Sequence, residues 1–502
     1  MVAERPTMHD NNPMHQLHAL PFDNTYRRLP DVFFEPIRPT PFPQAHIVSV
    51  NPAAAELIDL DVDAVKPSEL AEYCGGAKAL PGSEPLAMLY AGHQFGHYVP
   101  QLGDGRAILL GEVRNRKGEK WDLHLKGAGR TRFSRDGDGR AVLRSTIREY
   151  LCGEALHGLG IPTTRGLCII SGEEIVYRER PEPGAMLVRL APSHVRFGTF
   201  EVFFYRQHHD HLKVLADYVI QHHYPHLRHV RNRYARFLHE VAAWTGHLIA
   251  QWQAVGWAHG VMNTDNMSIL GLTLDYGPFG FMEPFNPGFI CNHSDHQGRY
   301  SYQNQPDIGA WNIRALARAL SPLVEPAAIE AAPAIYETVM IDRYAELMRA
   351  KLGLEESHAH DDRLVRDLLN LMHRDRVDYT IFFRSLRDFS QDPLAPNTAI
   401  SNQFVTRDVF EEWAARYRER LKAEKSRDEI RRSRLTQTNP KYVLRNHLVH
   451  KAIVQATTHR NYSEIDRLLN VLKQPYTEQP GMENYATPAP SDSAPIIVSC
   501  SS

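Results

Sequence analysis

Apolar positions recur with two periods along the chain, and the change from one to the other divides it near residue 197. Before that point the spacing is mostly that of strands. Trp121, Leu123 and Leu125 alternate with Asp122, His124 and Lys126, which predicts a strand over 121–126 with one apolar and one polar face. Apolar runs at 107–110, 163–170, 174–178 and 185–190 predict further strands; the second and third read as a hairpin turning at Ser171-Gly172, and 181–184 as a loop. A helix from 140 to about 158 carries Val142, Leu143, Ile147, Leu151 and Ala155 at helical spacing. After Thr199 the helical period takes over. Tyr234, Phe237, Leu238, Val241, Thr245, Leu248, Ile249 and Trp252 mark a core helix over 230–256. Further helices are expected at 308–320, 327–352, 362–373, 378–388, 406–422 and 439–454, and the charge-rich 422–434 reads as a solvated helix face.

The two ends differ from this body. Residues 1–15 read as a loose extension, and the recurrent prolines of 22–43 suit an extended arm lying on the body. Asn51 and Pro52 have the chemistry of an N-cap and a first helical position. After Tyr476 the chain turns to Pro, Ser, Thr and Gly, so 476–502 is expected to be mobile. The class is α+β, with the arm and a β-rich region at 16–197 and a larger helical region at 198–475.

Composition narrows the partners. A net charge of -2 over 502 residues gives no general attraction to nucleic acid or to an anionic membrane. No apolar run is long enough to cross a bilayer, and the first residues lack both a signal core and an Arg-rich transit helix. Cys74, Cys152, Cys168, Cys291 and Cys500 form neither a CxxC pair nor a zinc spacing, which points to a reducing, cytoplasmic setting.

The candidate chemistry centres on His259-Gly-Val-Met-Asn-Thr-Asp-Asn266 and Asp275-Tyr-Gly277. Two carboxylates and a carboxamide this close together suit a hard, oxygen-seeking cation such as magnesium. Laid against the protein-kinase catalytic loop and its later D-F-G, His259, Asn266 and Asp275 fall on the His, the metal-binding Asn and the metal-binding Asp. Val261 stands where a kinase keeps its proton-accepting Asp, and a different carboxylate, Asp265, precedes the Asn. Upstream, Gly103-Asp-Gly-Arg106 reads as a tight turn whose amides can approach an anion, though on its own a plain hairpin turn is the better reading. Lys126 ends its strand and Glu149 lies on the next helix, the order of the kinase Lys–Glu pair; a solvated pairing of Glu149 with Arg144 or Arg148 is the plainer alternative. The loop 127–140, rich in Gly and Arg, reads as a polyanion contact outside the core. Arg189 interrupts an apolar strand, and with Arg106 and Arg196 it has the charge to neutralise a triphosphate. His293, Asp295 and His296 could bind a metal or simply line a polar loop. Cys500 is a thiol near the end of the tail, open to redox chemistry.

Together these motifs, with Tyr90-Ala-Gly-His-Gln-Phe-Gly-His97, Leu125-Lys-Gly-Ala-Gly-Arg-Thr-Arg-Phe-Ser-Arg135, Asn292-His-Ser-Asp295 and Asn439-Pro-Lys-Tyr-Val-Leu-Arg-Asn446, resemble the selenoprotein O family of kinase-like protein adenylyltransferases over nearly the whole chain. The resemblance implies a two-lobe, protein-kinase-like fold that binds ATP with its α-phosphate presented for attack, so that AMP passes to a protein hydroxyl and pyrophosphate leaves. UTP stays open as a second donor. It implies that Lys126, held by Glu149, contacts phosphate and that Gly103, Gly105, Arg106, Arg189 and Arg196 surround the phosphate chain. Asp138 and Gly139 would lie near adenine, Asn266 and Asp275 would hold Mg2+ or Mn2+, and Asp265 would accept the proton. Cys291 is by resemblance the disulfide partner of Cys500. The implied partners are protein substrates, with no nucleic acid and no membrane, and the chain is expected to be a monomer. A catalytically silent nucleotide-binding scaffold and a conventional kinase remain the alternatives.

Overall fold

The computed structural model describes residues 14–490 and 496–499. The strands are β1 (Phe34–Pro36), β2 (His46–Val50), β3 (Leu86–Met88), β4 (Gly92–Gln94), β5 (His97–Val99), β6 (Ala107–Arg114), β7 (Lys120–Lys126), β8 (Ala141–Val142), β9 (Arg165–Tyr177) and β10 (Pro181–Ala191). The helices that matter for the site are α1 (Pro52–Ala55), α2 (Pro67–Cys74), α3 (Leu143–Gly158), α4 (Phe197–Tyr205), α5 (His209–His223), α6 (Arg233–Ala254), α7 (Gln305–Ala319) and α8 (Pro326–Lys351). Helices then continue through Asp361–Asp375, Arg407–Ala423, Asp428–Thr438, Asn446–His459 and Ser463–Leu472. The fold is therefore α+β, with a β-sheet-rich region followed by many helices. Among the described residues no helix is long and apolar enough to cross a membrane.

One antiparallel sheet runs in the order β1-β3-β6-β7-β10-β9-β2, with β8 added to β10. Both of its faces are covered. Ile108, Leu110, Leu123, Leu125, Met186, Val188 and Leu190 pack with α1, α2 and the early arm, where Leu17, Ala54, Ile58 and Leu70 are buried. Leu109, Ile169 and Leu187 face the other way and join Ile147, Leu151 and Ala155 of α3 in the large core that continues into α4–α8. The side-chain period of two explains this division. It also means that the polar face of β7 is not wet: Asp122 and His124 are 3% and 0% exposed.

Several expectations are corrected. Ser171-Gly172 is not a turn; β9 runs straight through it, and the hairpin turn falls at 178–180, so that 181–184 belongs to β10. Ser171 Oγ donates to Gly184 O at 2.7 Å, and a Cβ on Gly172 would lie 2.6 Å from that of Phe42. Small residues here admit the arm rather than reverse the chain. Gly103-Asp-Gly105 is no hairpin turn either, because β5 pairs with β4 while β6 lies between β3 and β7. The loop 127–140 does contribute to the core, through Ala128 and Phe133. The 422–434 stretch is largely solvated as expected, but it spans the end of one helix and the start of the next, and its Arg431 is wholly buried, donating to Phe389 O at 2.5 Å. Residues 439–445, expected as helix, precede the helix Asn446–His459. Of the tail expected to be mobile, residues 477–490 lie against the body, where Tyr485 donates to Glu464 at 2.9 Å and Glu478 pairs with Arg384 and Arg387; 491–495 and 500–502 lie outside the described residues.

Candidate active site

Four elements bring charge to one place. Lys126 closes β7, and its ammonium donates to Glu149 on α3 and lies 3.5 Å from Asp275 Oδ1. Arg189 stands on the α3 side of β10, where alternation puts it opposite His124. Its Nη1 donates to Glu149 Oε1 at 2.8 Å and Asp275 Oδ1 at 2.5 Å. Arg196, just before α4, donates to Asp275 Oδ2 at 2.6 Å and to the Asp265 carbonyl at 2.8 Å, with its guanidinium 4.4 Å from the centre of the Tyr90 ring. Asp275 sits in the left-handed region at φ 55, a conformation that Asp tolerates better than most residues.

Burial pushes the Asp275 carboxyl up, but the charges of Arg189, Arg196 and Lys126 outweigh it and hold the group well below the carboxylate range. Glu149 is lowered in the same way, burial being outweighed by Lys126 and Arg189. The Lys126 ammonium is itself lowered by burial, against Glu149 and Asp275. The cluster is thus two carboxylates clasped by three cations.

The other half is the loop that leaves α6. His259 is buried, and its Nε2–H donates to the Leu274 carbonyl at 3.0 Å while Nδ1 accepts from the Val261 amide at 3.3 Å. Only a neutral ring fits both bonds, and burial takes its pKa down to about 4. This imidazole ties the 259–266 loop to Asp275. Thr264 and Asn263 fix the loop from the side: Thr264 donates to Glu201 at 2.5 Å, and Asn263 accepts from the Tyr300 hydroxyl at 2.6 Å. Asp265 is treated differently. Its Oδ2 accepts from Gln94 at 3.2 Å, its buried Oδ1 has no hydrogen-bond partner among the described residues, and burial raises its pKa to about 7.

Every expected nucleotide-site residue opens on one cavity of about 530 Å³: Gly103, Gly105, Arg106, Lys126, Asp138, Gly139, Glu149, Arg189, Arg196, Asp265, Asn266 and Asp275. Gly103 has φ 75 and an added Cβ would stand 2.5 Å from the Phe133 ring, so the backbone there can only be glycine. Asn266 anchors its amide on the Val261 carbonyl at 2.9 Å. Asp138 is engaged bidentately by Arg178 at 2.7 and 2.9 Å. Asp275 and Asn266, both lining this cavity, carry the hard oxygens that suit Mg2+ or Mn2+. Among the described residues no three His, Cys, Asp or Glu side chains are grouped to hold a metal. Asp295 instead accepts from the Arg299 and Tyr300 amides at 2.9 and 2.7 Å, so it does not join His293 and His296 in a metal site.

Cys291 is half-buried, its thiol donating to Ala258 O at 3.5 Å; a Cβ on Gly260 would come within 2.7 Å of its sulfur. Cys500 lies outside the described residues; Val498 accepts from the His293 amide at 2.8 Å, so Val498 lies beside the 291–293 segment. Sequence reasoning missed three contributors. Asp104 accepts from the Met88 amide at 3.0 Å and from His124 Nε2 at 3.1 Å, and His124 Nδ1 accepts from Arg189 Nε at 3.2 Å. Arg148 holds the backbone after Asp275 by donating to Gly277 O at 3.3 Å and Phe279 O at 2.8 Å. The sign available was that His124 shares a strand face with Lys126.

A family model described as protein adenylyltransferase SelO matches residues 16–473. Relatives called protein nucleotidyltransferase YdiU are 57% identical in Myxococcus xanthus, 51% in Thiobacillus denitrificans and 48% in Pseudomonas fluorescens. Each alignment covers 97% of this chain and 100% of the relative. Matches of that extent, on a chain whose charged residues gather as described, lead to one conclusion: this protein belongs to the SelO family of protein adenylyltransferases.

Proposed function

We propose that this protein transfers AMP from ATP to a Ser, Thr or Tyr hydroxyl of another protein, releasing pyrophosphate. The observation that carries the reading is the division of one cavity into a cationic cluster and a separate, unpaired carboxylate. Lys126, Arg106, Arg189 and Arg196 offer charge for the phosphate chain, and phosphoryl-type transfer depends mainly on positioning and charge neutralisation. Asp265 suits the role of proton acceptor, since a base titrating near neutrality can hold and then release a proton at working pH. The acceptor oxygen bonds to the α-phosphorus, the bond to pyrophosphate breaks, and the hydroxyl proton goes to Asp265. Val261 lines the same cavity and can take no proton.

Asn266 and Asp275 would hold the divalent cation, with its remaining ligands from phosphate and water. Such a cation, when bound, supplies charge to the phosphate oxygens and the leaving group. Glu149 orients Lys126, and Asp138 and Gly139 border the end of the cavity assigned to adenine. The β-rich and helical regions are read as the two lobes of a kinase-like fold with this cavity at their junction, which the Lys126–Glu149 pair supports. Val498 beside His293, two residues from Cys291, supports a Cys291–Cys500 disulfide as a redox control.

ATP labelled in turn at the α- and the γ-phosphate tests the reaction. Protein-bound α-label is expected. Transfer of γ-label instead would make the protein a conventional kinase, and no transfer with retained ATP binding would make it a silent scaffold.

A further inference from the structure

The acceptor protein must bring its hydroxyl to Asp265, and one wall of that approach is the β4–β5 hairpin. Gln94 touches the Asp265 carboxylate, and Phe95 is held by the Tyr300 hydroxyl at 2.9 Å. Beyond Gly96, where an added Cβ would stand 3.2 Å from Arg299 Cζ, an unusual surface begins. Arg299 lies 5.0 Å over the Trp311 ring, Trp311 meets His93 at 5.2 Å, and His93 meets Tyr98 and Tyr205 at 5.2 and 5.8 Å. Tyr205 carries Arg318 at 5.9 Å.

The aromatic rings here are all partly exposed. Among the described residues Arg206, Arg299 and Arg318 form no ion pair, whereas Arg314 on the same helix as Arg318 is paired with Glu337 at 3.1 Å. Nearby carboxylates are already occupied. Glu201 spends its oxygens on His93 and Thr264, and Asp295 caps the Arg299 and Tyr300 amides. On a chain of net charge -2, Arg299, packed on the hairpin whose Gln94 touches Asp265, and Arg318 at the far end of the ring series are left without carboxylates, a local charge to be met from outside.

We propose that this aromatic and cationic surface, from Arg299 to Arg318, docks an acidic segment of the acceptor protein next to the hydroxyl that receives AMP. The inference rests on the adenylyl-transfer reading and gives its substrate a chemical class. Rings let the segment lie flat while the guanidinium groups pair with Asp or Glu on either side of the target residue. Arginine and aromatic rings also suit single-stranded RNA. Continuity with the hairpin whose Gln94 touches the base of a protein-modifying site favours the peptide.

The test uses the full-length protein and two sets of Ser-containing peptides, flanked by Glu or by Lys. Binding is read by fluorescence anisotropy without ATP, and transfer by α-labelled ATP. The wild type is expected to bind the Glu peptide, to lose it as salt is raised, and to label it with the higher kcat/KM. Arg318→Glu, an exposed change, is expected to lower that kcat/KM by about tenfold through KM, with kcat kept at saturation. Arg299→Glu is expected to act in the same direction, and the double variant to favour the Lys peptide. Equal labelling of both peptides, an acidic preference that survives both reversals, or RNA binding as tight as the Glu peptide would overturn the docking proposal. Binding of the Glu peptide that Arg318→Glu removes, with no α-label on any acceptor, would leave the docking surface standing and refute adenylyl transfer.

Discussion

Asp265 gives the sharpest prediction, because the property that suits it as a base also costs the fold stability. Its carboxyl has an ordinary value of 3.8 and is raised to about 7 by burial. Below the lower value both folded and unfolded chains carry the proton, and the group costs nothing. Between the two the folded chain alone keeps the proton, so stability falls as pH rises, and above about 7 the loss is complete. A gap of about three pH units at about 1.4 kcal/mol each amounts to about 4 kcal/mol. Asp265→Asn keeps the shape and removes the charge. It is expected to abolish α-label transfer while stabilising the protein by up to about 4 kcal/mol at pH 8 and hardly at all at pH 4. With an unfolding entropy of about 2 cal/mol/K per residue, that is a rise of about 4 °C in Tm at pH 8. Thermal unfolding of both proteins from pH 4 to pH 8, with α-label assays in parallel, measures it. An Asn variant less stable than the wild type at pH 8, or a difference independent of pH, would refute the picture of a desolvated base. So would wild-type labelling that does not climb with pH through about 7.

Asp275→Ala is expected to abolish labelling and to destabilise the apo protein by about 3–5 kcal/mol, because Arg189 and Arg196 lose a shared partner in a buried site; a lowered Tm without nucleotide checks it. Lys126→Ala should reduce labelling severely while leaving Glu149 held by Arg189, so its Tm is expected to fall less than that of Asp275→Ala. His124→Phe removes the acceptor for Arg189 Nε and the donor to Asp104, and is expected to lower kcat by about tenfold or more with a smaller change in KM for ATP; an unchanged kcat would show that Arg189 needs no such support. Arg148→Lys, which cannot span both the Gly277 and Phe279 carbonyls, should lower labelling and Tm together.

Much of the site was legible because its residues lie on regular elements. The alternation of β7 puts Lys126 on the face away from Leu123 and Leu125, and that of β10 puts Arg189 on the same side as Leu187, facing α3. Helical spacing then makes Glu149 available to both. Turn chemistry was less informative. Ser171 and Gly172 have the composition of a turn, yet their smallness serves the passage of Phe42 from over a hundred residues away, and no local pattern contains that contact. Arg431 looked solvated because its neighbours are charged, whereas Gly353 opens a slot for its stem and Phe389 offers a carbonyl. The tail composition suggested mobility, but residues 477–490 are held by single side chains, Tyr485 and Glu478, meeting partners on distant helices.

The sequence by itself determined the family, the division into a strand-rich and a helical region, and the residue types that can hold phosphate and a hard cation. These follow from motif identity and from side-chain periodicity, both local along the chain. Only the tertiary structure decided which charges neutralise one another and which is left alone. Asp265, which is buried, and Asp275, which is partly buried, are carboxylates ten positions apart. Asp275 meets two guanidinium groups and stays ionised, while Asp265 meets one amide, keeps a buried oxygen without a hydrogen-bond partner among the described residues and titrates near neutrality. That difference comes from which side chains the fold brings within about 3 Å, and Coulomb interactions of that range vary far more with position than with sequence separation.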